Sequence, residues 1–196
     1  ADLASNITGL VPERVCADLA IFHSERLKPV KKTSTFKKPG KVKTEPFTVE
    51  TEDYGGILVQ FKGNTRGIFH ISQVSAGRKN RLSMEVDGSL GSIYWNQEQP
   101  EELFMGRRDG PNQLLFKSSD LLEDKAKSLA HYPCGHPEGY PDTFKNLFES
   151  VYSAIKEGKH RENEYPTFRD GLNSLLLGEA ILKSTRSGTW EEVEQI

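Results

Sequence analysis

Ile57-Leu58-Val59-Gln60-Phe61-Lys62-Gly63-Asn64, followed by Arg66 to Val74, is the stretch on which the fold class turns. Ile57, Val59 and Phe61 alternate with Leu58 and Gln60, the period of two expected of a strand covered on one side. Lys62-Gly63-Asn64 supplies a turn. The next strand then returns antiparallel, because a parallel neighbour needs a crossover of roughly a dozen residues or more.

The same grammar continues outward. Leu82, Met84 and Val86 point one way and Arg81, Ser83 and Glu85 the other, and Asp87-Gly88-Ser89 makes a hairpin turn. Gly91 to Trp95, Glu102 to Arg107 and Gln113 to Phe116 complete the strands, with Asp109-Gly110 as a further turn. Upstream, residues 1–9 read as the end of a helix stopped by Gly9, and Pro12 to His23 as a strand. Downstream, Phe144, Leu147, Phe148, Val151, Tyr152 and Ile155 form the apolar stripe of one helix. Phe168, Leu172, Leu175, Leu176 and Ala180 are the expected buried side of another, with Thr167 as its cap and Asp170 in its first turn. The expected fold class is α+β: a large, predominantly antiparallel open sheet with helices packed on one face. Gln60, Arg81, Ser83 and Glu85 form a polar face that is either wet or meets another domain or subunit.

Residues 24–46 break the pattern. Lys28, Lys31, Lys32, Lys37, Lys38, Lys41 and Lys43 lie among Pro29, Pro39 and Pro46, a composition suited to a long solvated excursion. Lysines neutralise phosphate charge, but only Phe36 offers an aromatic ring for base stacking, so solvation is the expected role.

Over 196 residues, 26 basic and 28 acidic side chains leave a net charge of −2, which argues against nucleic acid or a membrane surface as the main partner. No apolar run approaches the roughly 20 residues of a membrane helix. The start, Ala-Asp-Leu-Ala-Ser-Asn, lacks a signal peptide and an initiator Met, so a cytoplasmic protein and a chain cut from something longer are expected. The two cysteines, Cys16 and Cys134, read as packed thiols of a reducing compartment.

Candidate chemistry concentrates in two places. Gly135-His136-Pro137-Glu138-Gly139-Tyr140 puts an imidazole, a carboxylate and a phenol before a helix, and sugar hydroxyls both donate to and accept from such groups. On an extended backbone His136, Glu138 and Tyr140 would aim to one side; alternatively Glu138 and Asp142 serve only the positive end of the helix. Arg78, Lys79 and Asn80 follow Gly77 at a bend and either reach substrate or stand in water. His131, Cys134 and His136 invite a metal reading, yet no second Cys/His cluster supplies the remaining zinc ligands, and no metal site is expected. Neither a Gly-x-Gly-x-x-Gly turn nor a Walker-type sequence appears, so no cofactor is expected on this chain.

Taken in order, Thr51-Glu52-Asp53-Tyr54, Ile71 to Asn80, Val86 to Ser92 and Gly135 to Asp142 resemble the C-terminal domain of the Gfo/Idh/MocA oxidoreductases. The family includes glucose–fructose oxidoreductase and inositol dehydrogenase. The resemblance implies a parent enzyme whose N-terminal Rossmann domain binds NAD or NADP, and a C-terminal half, here 1–196 as a single domain, that binds substrate and forms a homo-oligomer. It implies hydride transfer between nicotinamide and a sugar, polyol or sugar derivative. It also implies a Lys in a Glu-Lys-Pro motif and an Asp-x-x-x-His pair at the reacting carbon. Leu27-Lys28-Pro29 does not match that motif, and the family's His falls just upstream of Ala1. The catalytic residues and the Rossmann domain are therefore expected outside this chain, which alone should be inactive. The substrate-binding residues expected within it are His136, Glu138, Tyr140, Arg78 and Asn80. A non-catalytic oligomerising scaffold is the alternative, and the coding sequence upstream of Ala1 separates the two.

Overall fold

The structure is a computed structural model that describes residues 1–30, 42–159 and 164–195. It forms two compact units, Ala1–Ala76 with Phe168–Ile196, and Gly77–Thr167. All its strand pairings are antiparallel, which with the helices makes the α+β class expected from the sequence. The strands among the described residues fall into three hydrogen-bonded sets.

In the first unit, helix α1 (Asp2–Thr8) ends at Gly9, whose left-handed φ of 69° favours glycine. Strand β1 (Pro12–Ala20) lies between β4 (Tyr54–Phe61) and a two-residue edge strand, β10 (Glu191–Glu192), and β5 (Arg66–Ser72) follows β4. The register sets Val15 opposite Val59 and Ala17 opposite Ile57, so these side chains share one face. Helix α4 (Phe168–Ser187) closes that face: Leu177 and Ala180 join Val15, Ile57, Val59, Phe61 and Val193 in one buried cluster, with Ile181 and Phe69 against it. The opposite face carries Arg14, Gln60 and Arg66 in one row and Cys16, Leu58 and Ile68 in the next.

The alternation in β4 was legible, but the buried side of α4 is only partly the expected one, which holds at Leu176 and Ala180. Phe168, Leu172 and Leu175 are exposed, and the covered positions are Leu176, Leu177, Ala180, Ile181 and Ser184. Only the C-terminal half of the helix reaches the apolar cluster, so the stripe that matters is the one nearest the sheet. The Lys-rich segment also differs. Its described flanks pair as a hairpin, β2 (Glu25–Pro29) with β3 (Thr44–Thr48), and every position in both strands is exposed. Lys31, Lys32, Lys37, Lys38 and Lys41 lie outside the described residues.

A buried hydroxyl completes the β1 edge. Glu13, Val15 and Ala17 direct their main-chain groups towards β10, and Val193 N–H donates to Glu13 O. At Ala17 the edge strand has already ended. There Ser184 Oγ accepts the Ala17 N–H at 2.9 Å, and Thr185 Oγ1 donates to the Ala17 carbonyl at 3.2 Å. Two side chains of α4 thus do for one residue what a neighbouring strand does elsewhere.

The second unit holds the sheet β6 (Ser83–Asp87), β7 (Gly91–Asn96), β8 (Glu102–Arg107) and β9 (Gln113–Phe116), followed by the short helix α2 (Asp124–Lys127) and by α3 (Tyr140–Glu157). A Cβ at Gly91 would lie 2.2 Å from the Gly106 carbonyl oxygen, so β7 and β8 approach there as only glycine allows. Gln60 and the Ser83–Glu85 pair belong to different sheets. Along α3, Phe144, Phe148, Tyr152 and Ile155 are exposed, and Ala154 is the buried position. Cys134 is exposed rather than packed; Cys16 is half-buried.

Candidate functional site

All five residues expected to touch substrate fall in the second unit, Gly77–Thr167. Their surroundings differ. Residues 133–136 form a turn, in which His136 N–H donates to Pro133 O and Gly135 has a φ of 83°, whereas Gly139 is extended. His136 is exposed. Tyr140 opens α3, also exposed, with its ring edge-on to Phe144 at 4.9 Å. Of the three, His136 and Tyr140 are exposed and Glu138 is half-buried.

Glu138 is turned inward. One carboxylate oxygen receives the ammonium of Lys117, just past β9, and the other accepts the main-chain N–H of His131. The Glu138 N–H in turn donates to Glu101 Oε1 at 2.9 Å, while Glu101 Oε2 lies 3.0 Å from Lys117 Nζ. The ring of contacts closes through the main chain, where Lys117 N–H donates to Glu101 O at 2.8 Å. The side chains of Lys117, Glu101 and Glu138 keep only 15%, 18% and 12% of their exposure. Burial works against the charge on Lys117, but the hydrogen bond to Glu138 and the ion-pair contact with Glu101 outweigh it and raise its pKa above the ordinary 10.5. Burial likewise opposes the Glu138 carboxylate; the Lys117 contact and the N–H groups of His131 and Tyr132 prevail and hold it below 4.5.

Helix capping falls to Asp142, whose Oδ2 accepts the Gly139 N–H at 2.9 Å. The start of the segment is tied to α3: His131 Nε2 meets Asn146 Oδ1 at 2.6 Å, and Asn146 Nδ2 donates to Leu129 O. Among the described residues no group of three or more His, Cys, Asp or Glu side chains converges as metal ligands would.

Arg78 and Asn80 are exposed in the bend 77–82, and Arg78 pairs loosely with Glu98 at 3.8 Å. Glu98 and Glu101 belong to the same turn between β7 and β8, so that turn touches both candidate groups through different side chains. Sequence reasoning missed Lys117 and Glu101. They stand 21 and 37 residues from Glu138, and no local spacing marks them.

The first unit has its own buried carboxylate. Asp53, 3% exposed, accepts the N–H groups of Phe22 and His23 at 2.8 and 3.0 Å, with Arg26 Nη2 3.5 Å away. The Phe22 N–H chiefly holds its pKa below the ordinary 3.8; burial opposes this, and the His23 N–H and the charges of His23 and Arg26 reinforce it.

Comparison with known proteins agrees with this architecture. Residues 1–94 match the family model described as the GFO/IDH/MocA C-terminal domain. Levoglucosan dehydrogenase of Pseudarthrobacter phenanthrenivorans is 26% identical over 160 residues, covering 76% of this chain and 38% of its own length. The crystal structure of an oxidoreductase domain protein from Kribbella flavida superposes with a TM-score of 0.81 at 27% identity, over 99% of this chain and 48% of that one. A levoglucosan dehydrogenase solved with NADH and L-sorbose shares the fold at 24% identity, with a TM-score of 0.80 over 100% of this chain and 48% of that one. The chain spans about half the length of the structures it resembles, or less for the curated relative.

Proposed function

We propose, from the match of residues 1–94 to the family model of the GFO/IDH/MocA C-terminal domain, that this chain is the substrate-binding and oligomerisation half of an NAD(P)-dependent oxidoreductase acting on a sugar, polyol or sugar derivative. The observation that carries the reading is the likeness to levoglucosan dehydrogenase along 76% of the chain. In this reading a Rossmann domain outside the chain holds NAD or NADP and supplies hydride chemistry at the reacting carbon. What this chain contributes is recognition. The exposed imidazole of His136 and phenol of Tyr140, with Arg78 and Asn80, offer donors and acceptors to hydroxyl groups. Glu138 belongs to the same segment as its anchor.

Assembly is the second part of the reading. The outward face of the β1–β4–β5 sheet leaves Leu58 and Ile68 exposed beside each other. A second copy related by two-fold symmetry, the commonest arrangement, would cover them.

The experiment is reduction of NAD and of NADP by the full-length protein across a panel of sugars and polyols including levoglucosan. His136→Ala should lower kcat/KM by roughly two- to tenfold, the worth of one hydrogen bond to an uncharged hydroxyl, with Tm nearly unchanged. A full-length protein without Rossmann sequence upstream of Ala1, or one that reduces neither cofactor with any of these substrates, would defeat the reading in favour of a scaffold. For the isolated chain the expected calorimetric result is no binding of NAD or NADP.

A further inference from the structure

We propose that Lys117 is a positioning residue for the sugar site: through Glu138 and Glu101 it fixes the 131–139 loop in the conformation that presents His136. The proposal rests on the reading that this loop lines the site. Its structural basis is the way the loop is closed. Both ends of the segment 131–138 meet at one carboxylate, because Glu138 accepts the N–H of His131 seven residues earlier. That carboxylate is held in turn by Lys117, from the end of β9, and the Glu138 main chain is held by Glu101, from the β7–β8 turn.

Lysine suits the position. Its ammonium has three donors, and here it faces two carboxylates with little exposure of its own. The same side chain therefore ties a loop with almost no apolar cover to two points of the sheet. A second tether, His131 Nε2 to Asn146, binds the start of the loop to α3. His136 lies at the turned centre of this closed segment, five residues after one anchor and two before the other. The loop order that a sugar would otherwise have to impose is already present before it arrives.

Without Lys117, two covered carboxylates face each other and the Glu138 clasp opens. If only about one molecule in ten then keeps the loop closed, the apparent KM for sugar rises about tenfold, since affinity falls with the competent fraction. The nicotinamide KM does not change, because nothing in the network is expected to meet the cofactor.

The experiment compares Lys117→Met, Lys117→Arg and His136→Ala in the full-length oxidoreductase, with hydrogen exchange measured at amides 131–138. Expected are faster exchange in the loop and a roughly tenfold higher sugar KM for Lys117→Met, with substantial restoration by Lys117→Arg. Should Lys117→Met not fold, Glu138→Gln, which keeps the side-chain shape and one acceptor oxygen, takes its place with the same expectation. Unchanged sugar KM in a variant with faster loop exchange overturns the positioning role while leaving the site reading intact, provided His136→Ala lowers kcat/KM. If His136→Ala leaves kcat/KM unchanged, the site reading itself falls and the positioning role with it. Unchanged exchange and unchanged KM in a folded variant also overturn it.

Discussion

The two units solve the burial problem with different materials. Ala1–Ala76 with Phe168–Ile196 gathers Val15, Ile57, Val59, Phe61, Leu177, Ala180 and Val193 into an apolar cluster. In Gly77–Thr167 the one buried apolar residue among those described is Ala154, and the covered cluster around the loop is Lys117 with Glu101 and Glu138. Apolar burial is non-directional and tolerates small shifts. A lysine between two carboxylates works only at one geometry, since each charge left unpaired is costly. The first unit is therefore built for stability, and the second spends part of its stability on holding a loop in place.

The largest expected effect tests the apolar side of that contrast. Ile57→Ala should cost about 2–5 kcal/mol in chemical denaturation, the range for large-to-small changes in a packed core. A loss under about 1 kcal/mol would mean that the cluster is loosely packed, and the contrast would fail. Next comes Lys117→Met, expected to cost roughly 3 kcal/mol, at the lower end for a broken buried pair because the groups keep 12–18% exposure. The same denaturation experiment measures it, and an effect near zero would show the charges to be solvated in practice.

Ser184→Ala is expected to cost about 1–3 kcal/mol, because it strands the Ala17 N–H in a site with 0% exposure at Ser184. The pH profile sharpens the contrast further. Glu138 has a folded pKa below 4.5, so its contribution is complete above that value and is lost as pH falls through the folded one. Lys117 has a folded pKa above 10.5, so its contribution is complete below that value and is lost as pH rises through the folded one. Melting temperatures of wild type and Glu138→Gln should therefore differ steadily between those limits and converge under stronger acid. The smallest effect is expected at Tyr152, 67% exposed on α3: Tyr152→Ser should change stability by less than about 0.5 kcal/mol.

These contrasts explain what could be read from the chain beforehand. Ile57, Val59 and Phe61 announce a strand because burial on one face imposes a period of two, and the register with β1 then follows. Helical periodicity was less informative. Phe168 and Leu172 have the right spacing to be buried, but spacing identifies a stripe without saying how much of it a sheet reaches. Of the candidate site, only the local polar cluster was legible in the sequence. His136, Glu138 and Tyr140 stood out as a polar cluster between glycines and prolines, whereas the inward turn of Glu138 depends on Lys117 and Glu101. An ion pair between remote segments leaves no periodic trace, and only the folded chain brings its members together.

The hydroxyls of Ser184 and Thr185 at Ala17 have a consequence for how molecules of this protein meet. An exposed strand margin is a template on which a foreign strand can grow, and aggregation often begins there. At Ala17 both main-chain groups are already occupied by the helix, which acts as a cap on the ladder immediately after β10 stops. A visiting strand would have to displace two hydrogen bonds, one of them to a fully buried oxygen, before gaining its own. Continuous sheet extension past this point is thereby opposed.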